Sequence, residues 1–171
     1  MIDKVITQIE ADKDRHVERL IDLLSIPTIS TDPEHRTDTR RGGEWVYRLL
    51  SECGIKSELI ETGGHPCVLA DSGPARQDGP TVLVYGHYDV QPTGDESLWD
   101  SPPFKPTVRD GLLFARGSAD DKGQVLTHLL AAETWMKVAG YLPVRVKFLI
   151  EGEEEIGSPN LEKLVRDHRD R

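Results

Sequence analysis

The sequence predicts an α/β domain with a mostly parallel sheet and helices on both faces. Strand-like apolar runs such as TVLVY and PVRVKFLI alternate with segments whose apolar residues recur at helical spacing. A chain of 171 residues, 37% hydrophobic and 30% charged, is long enough for one core-bearing domain and short for two.

The elements follow in order. From Ile2 to about Leu24, apolar residues sit at Ile2, Val5, Ile9, Val17, Leu20, Ile21 and Leu24, and IPTIS stops the pattern with Pro27. GEWVYRLLSECG predicts a second helix with Gly54 at its C-terminal cap. SELIE and CVLAD predict short strands, and PARQDGP a turn before TVLVY. A long loop rich in Pro, Gly and Asp follows, GHYDVQPTGDESLWDSPPF, of the kind that is either functional or disordered. PTVRDGLLFAR predicts a β-hairpin, because Asp110 and Gly111 accept the positive φ of a type I′ turn. GQVLTHLLAAETWMKVAG predicts an amphipathic helix with Val125, Leu129, Ala132, Met136 and Ala139 on one face. PVRVKFLIEG predicts a strand, and SPNLEKLVRDH a helix capped by Ser158 with Pro159 in its first turn.

Charge excludes some partners. The formal net charge of −9, with basic residues scattered among acids, argues against nucleic acid or an anionic membrane, which clustered Lys and Arg would have to meet. Two cysteines, Cys53 and Cys67, are too few for a disulfide framework or a zinc ribbon and are expected as free thiols. The N-terminal MIDKVITQIEADKD lacks the apolar run of a secretion signal, and no window has the apolar length of a membrane span, so a cytoplasmic location is expected.

Ligands of an α/β sheet collect at the carboxyl ends of its strands. Three loops meet that condition: GHYD with His87 and Asp89, GSADDKG with Asp120 and Asp121, and EGEEEIGS with Glu153, Glu154 and Glu155. Converging carboxylates repel one another unless a cation neutralises them, so the set points to a metal site. One imidazole with carboxylates suits zinc or a similar first-row ion better than calcium or magnesium. His87 and Asp89 alternate by two along extended backbone and point the same way, which suits a carboxylate that holds an imidazole in its ligating tautomer. Each loop also has a plainer reading: a capped turn at His87 and Asp89, a helix cap at Asp120 with Asp121 against the dipole, and an acidic surface loop at EGEEE. Their coincidence at one sheet edge favours the metal.

GHYDVQP, WDSPPF, DGLLFARGSADDKG and EGEEEIGS, in this order and spacing, resemble the dinuclear-zinc aminoacyl hydrolases that include carnosinase-type dipeptidases, carboxypeptidase G, acetylornithine deacetylase and succinyl-diaminopimelate desuccinylase. Gln91-Pro92 and WDSPPF are most similar to the dipeptidase branch. The resemblance implies a zinc-exopeptidase-like catalytic domain and two zinc ions, with cobalt or manganese also tolerated. It implies that His87 is a terminal ligand of one zinc, Asp120 bridges both, Glu155 ligates the second, Glu154 is the general base and Asp89 supports His87; Asp121 matches the neighbour that does not bridge. The competing local reading makes Glu154 and Glu155 both ligands.

The implied reaction is hydrolysis of an amide bond in a dipeptide or small peptide, or alternatively in an N-acyl amino acid. A noncatalytic binding module is the third reading. Members of the family carry a second, lid-like domain, a further acidic ligand after the EGEEEIGS region and a distal His ligand, and His128 and His168 are expected to be structural or solvated. By that comparison residues 1–171 form the N-terminal part of a catalytic domain with an incomplete site, weak metal binding and little turnover alone, and the parent is a homodimer.

Overall fold

The computed structural model describes residues 1–75 and 79–171. Helices Ile2–Ala11 (α1), Lys13–Leu24 (α2) and Arg36–Glu52 (α3) precede strands Lys56–Ile60 (β1), Cys67–Asp71 (β2) and Thr81–His87 (β3). A hairpin, Thr107–Arg109 (β4) and Leu112–Phe114 (β5), leads to helix Lys122–Ala139 (α4), strand Arg145–Glu151 (β6) and helix Leu161–Asp167 (α5). The turn expected in PARQDGP centres on residues 76–78, outside the described residues.

The α/β class holds, but the sheet is mixed rather than mostly parallel. Its order is β1-β2-β6-β3, with β1/β2 and β2/β6 antiparallel and only β3/β6 parallel. The reason is loop length: the few residues between β1 and β2 can close a hairpin, whereas a parallel crossover needs a dozen or more. The segment between β3 and β6 carries α4 and is long enough for that crossover. In register, His87 stands opposite Glu151, so both strands release their chains at the same edge.

The core lies between the sheet and α3 and α4, where Val46, Leu50, Val68, Leu129, Phe148 and Ile150 are buried. Each such side chain contributes about 1.5–3 kcal/mol of burial. Helix α4 is apolar on more than one face, since it packs against β3 on one side and α1 and α2 on another. Leu126 and Leu130 are therefore buried as well as Val125 and Leu129. Opposite the core, Leu164 and Val165 of α5 face Leu69, Leu83 and Leu149 across a groove, which puts helices against both faces of the sheet.

Two local expectations need correction. The N-terminal pattern forms two helices, broken at Asp12. The Asp12 carboxylate accepts from Gln8, Arg15 and Lys137, pinning the break against α4. Ser158 does not cap α5: it takes φ 50°, its hydroxyl donates to Glu151 at 2.9 Å, and Asn160 holds the cap position. At the hairpin, Asp110 and Gly111 adopt φ 51° and 77° as the turn requires.

Among the described residues no helix is long and apolar enough to cross a membrane. Cys53 and Cys67 are free, and burial pushes their thiols up to about 11 and about 12.

Candidate metal centre

His87 is the last residue of β3 and is only 6% exposed. Its approach requires Gly86: a Cβ there would lie 2.5 Å from Val125 and 2.7 Å from the Asp121 carboxylate. The residue that follows, Tyr88, is fully buried and donates to the Pro66 carbonyl at 2.5 Å. A side chain at Gly152 would collide with the Tyr88 ring and hydroxyl, so the glycine of EGEEE is dictated by the tyrosine of GHYD. These contacts bring the β3 and β6 loops together.

Asp89, fully buried, links them chemically. Its Oδ1 accepts the Glu154 N–H at 3.2 Å, and its Oδ2 accepts the Glu155 N–H at 3.0 Å and the Ser30 hydroxyl at 2.6 Å. The His87 Nδ1 lies 3.1 Å from the Asp89 carbonyl oxygen and 3.4 Å from Oδ1. Nε2 is thereby turned to the other side, 3.2 Å from Asp120 Oδ1 and 3.9 Å from Glu154 Oε2. Burial alone would lower the His87 pKa, but hydrogen bonding to Asp89, with its charge and that of Asp121, raises it to about 9.

The carboxylates divide into two groups. Asp120, Glu154 and Glu155 project toward Nε2 or the space beside it. Asp121 and Glu153 turn inward: Asp121 accepts the His87 backbone N–H at 3.2 Å, and Glu153 accepts from His65 N–H and the Asn160 amide. The peptide bond between Asp120 and Asp121 is cis. Asp121, not Asp120, occupies the cap position of α4, and its side chain makes no capping hydrogen bond there.

One donor atom each from His87, Asp120 and Glu155 lie within 4.8 Å of one another. An imidazole and two carboxylates at that spacing match the chemistry of zinc or a similar divalent ion. With Nδ1 committed to Asp89, the nitrogen facing the carboxylates is the one free to ligate.

Three supporting residues have roles that no sequence pattern specifies, although Gln91 and Lys122 lie inside the quoted motifs. Ser30, in a segment read only as a helix stop, reaches Asp89. Gln91 donates its backbone N–H to Glu155 Oε1 at 3.2 Å and its amide to Oε2 at 2.9 Å. Lys122, 0% exposed, donates from Nζ to the Leu23 and Ile26 carbonyls at 3.1 and 2.7 Å, tying the start of α4 to the end of α2. Burial lowers its pKa to about 7 against the pull of Asp89. Their signals were positional: a polar residue just after Pro27, and a lysine enclosed by DD and G. His128 is exposed on α4, and His168 Nδ1 contacts the Leu164 carbonyl at 2.8 Å, so neither approaches the site.

A parallel strand pair that presents one buried imidazole and carboxylates from two further loops defines an α/β domain with a candidate divalent-metal centre. Residues 83–171 match the peptidase family M20/M25/M40. The chain is 35% identical over 178 residues to the Cys-Gly metallodipeptidase dug1 of Schizosaccharomyces pombe, covering 96% of this chain and 37% of the relative. Its fold superposes on human carnosine dipeptidase 1 with a TM-score of 0.92 at 33% identity, covering 99% of this chain and 38% of that one. A family metallo-carboxypeptidase from Sulfolobus solfataricus matches with a TM-score of 0.81 at 35% identity, over 91% of this chain and 34% of that one. The chain belongs to the M20/M25/M40 peptidase family and spans about 37% of the length of the curated relatives it matches.

Proposed function

We propose that this chain carries the metal-binding core of a peptidase that hydrolyses the amide bond of dipeptides or small peptides. The observation that carries the reading is the convergence of His87, Asp120 and Glu155 donor atoms within 4.8 Å. Support for the substrate class comes from the relatives, which are named as a Cys-Gly metallodipeptidase and a carnosine dipeptidase.

His87 and Asp120 would hold one zinc ion, and Asp120 and Glu155 the other, with Asp120 shared; cobalt and manganese suit the same donors. When bound, the ions supply a Lewis acid for the substrate carbonyl and lower the pKa of the attacking water. Glu154, whose Oε2 lies 3.9 Å from His87 Nε2, would serve as the general base beside the site, accepting a proton at its carboxylate and returning it to the leaving amine. Asp89 keeps the His87 Nδ1 engaged and Nε2 aimed at the site. Through the Glu154 and Glu155 N–H groups it also fixes the backbone of the base and of the second ligand.

Glu154→Gln tests the assignment. Zinc uptake equal to that of the unsubstituted chain, with loss of whatever turnover of unblocked dipeptides that chain shows, is expected of a general base. Loss of zinc from this variant would make Glu154 a ligand and remove the proposed base. Faster hydrolysis of N-acyl amino acids than of unblocked dipeptides would overturn the substrate class.

A further inference from the structure

Between α2 and α3 the segment Thr28 to Ser30 runs beside residues 88–90. Ile29 and Val90 form a parallel bridge, the Val90 N–H donates to the Thr28 carbonyl at 2.9 Å, and the Thr28 hydroxyl donates to the Tyr88 carbonyl at 2.6 Å. This alignment delivers the Ser30 hydroxyl to Asp89 Oδ2 at 2.6 Å, in surroundings where Ser30 is 8% and Asp89 0% exposed. The Ser30 carbonyl is itself held, 3.1 Å from His65 Nε2. A buried carboxylate is costly unless its lone pairs are met, and a hydroxyl donating to a carboxylate is among the stronger hydrogen bonds.

The partners of Asp89 are divided by oxygen. Oδ1 faces His87 Nδ1 at 3.4 Å and the Glu154 N–H at 3.2 Å, while Oδ2 takes the Glu155 N–H at 3.0 Å and the Ser30 hydroxyl. His87, Glu154 and Glu155 all belong to the loops that carry the proposed metal chemistry. Ser30 alone among these partners comes from outside those loops. Its hydroxyl is the contact that ties the carboxylate to the α2–α3 segment.

We propose that Ser30 is a positioning residue for the candidate metal centre: its hydroxyl orients the Asp89 carboxylate, and through it His87 and the backbone that carries Glu154 and Glu155. The inference rests on the proposed metal function for its purpose, but its geometry is independent of any ion. Removing the hydroxyl leaves Oδ2 one donor short and lets the carboxylate turn, which loosens the two N–H groups and the imidazole together.

The test uses Ser30→Ala and Ser30→Thr in the whole chain, with two readouts. Amide hydrogen exchange of the metal-free protein is expected to accelerate about fivefold or more at Glu154 and Glu155 in Ser30→Ala, while amides of β2 in the core keep their protection. Titration with Zn2+ alone is expected to give about tenfold weaker binding in the same variant, as for other residues that orient metal ligands. Ser30→Thr, which keeps the hydroxyl, restores both. Unchanged exchange at Glu154 and Glu155 in a folded Ser30→Ala, or a loss of protection spread evenly over the chain, overturns the positioning role. If the alanine variant does not fold, the threonine variant carries the test: it must match the wild type in both readouts. Exchange that responds as expected in a chain whose wild type takes up no Zn2+ would leave Ser30 as the orienter of Asp89 and sink the metal reading instead.

Discussion

His87 and Asp89 face each other twice across the end of one strand: Nδ1 is 3.1 Å from the Asp89 carbonyl oxygen and 3.4 Å from its carboxylate. The pairing leaves Nε2 toward Asp120 at 3.2 Å. Asp89→Asn preserves the shape of the side chain but removes its charge and half its acceptor capacity. Zinc affinity is expected to fall about 10- to 100-fold, as for other partners of ligating histidines, and calorimetric titration of the two proteins checks it.

Gln91 secures the other end of the proposed ligand set. Its three donated hydrogen bonds to Glu155, two to the carboxylate and one to the carbonyl oxygen at 3.1 Å, hold that side chain in one orientation. Because the contacts are exposed, Gln91→Ala is expected to change stability by no more than about 0.5 kcal/mol. Zinc binding should weaken by about tenfold all the same. Equal affinities for the two proteins would show that Glu155 needs no such restraint.

Gly152 and Gly140 offer a paired test of packing against backbone strain. An alanine methyl at Gly152 meets the buried Tyr88 ring, whereas at Gly140, φ 75°, nothing lies within 4 Å. Gly152→Ala is expected to cost about 2–3 kcal/mol through overpacking, and Gly140→Ala about 1 kcal/mol through the left-handed backbone alone. Denaturant unfolding of both variants measures the difference, and equal losses would show that the Tyr88 ring does not dictate the glycine at the second position of EGEEE.

Asp71 joins β2 to β6 through Arg145, with contacts of 3.0 Å to Nε and 2.5 Å to Nη2. The hydrogen bond from Arg145 is the main cause that holds the Asp71 carboxyl below its usual value of 3.8. Since the folded state favours the ionised form, its contribution to stability is present above pH 3.8 and is lost as the pH falls through the lowered value. Asp71→Asn should therefore destabilise the protein at neutral pH and flatten the acid limb of a stability profile, which thermal unfolding between pH 2 and pH 6 would record.

Much of this arrangement was legible in the sequence. Apolar runs marked the strands, the Asp110-Gly111 turn identified the hairpin, and three polar loops after strand or hairpin signals marked the site. Alternation of strands and helices alone points to a parallel sheet, whereas the short β1–β2 connection allows only a hairpin and makes the sheet mixed. Ser158 has a capping residue's chemistry, but the buried Glu151, distant from the helix, takes its hydroxyl instead. Ser30, Gln91 and Lys122 acquire their roles only when the chain folds: each is an ordinary polar residue whose partner is fixed by tertiary contact. Glu153, indistinguishable from its neighbours in EGEEE, is separated from them by the direction of one side chain.

In the proposed site His87, Asp120 and Glu155 together hold a divalent metal. Zinc per chain, determined by elemental analysis after equilibration with a small excess of zinc, tests it most directly when wild type and Asp120→Ala are compared. Specific zinc is expected in the wild type and its loss in the variant, because Asp120 contributes to every proposed ligand set. Equal zinc in both proteins, or none in a folded wild type, would contradict it.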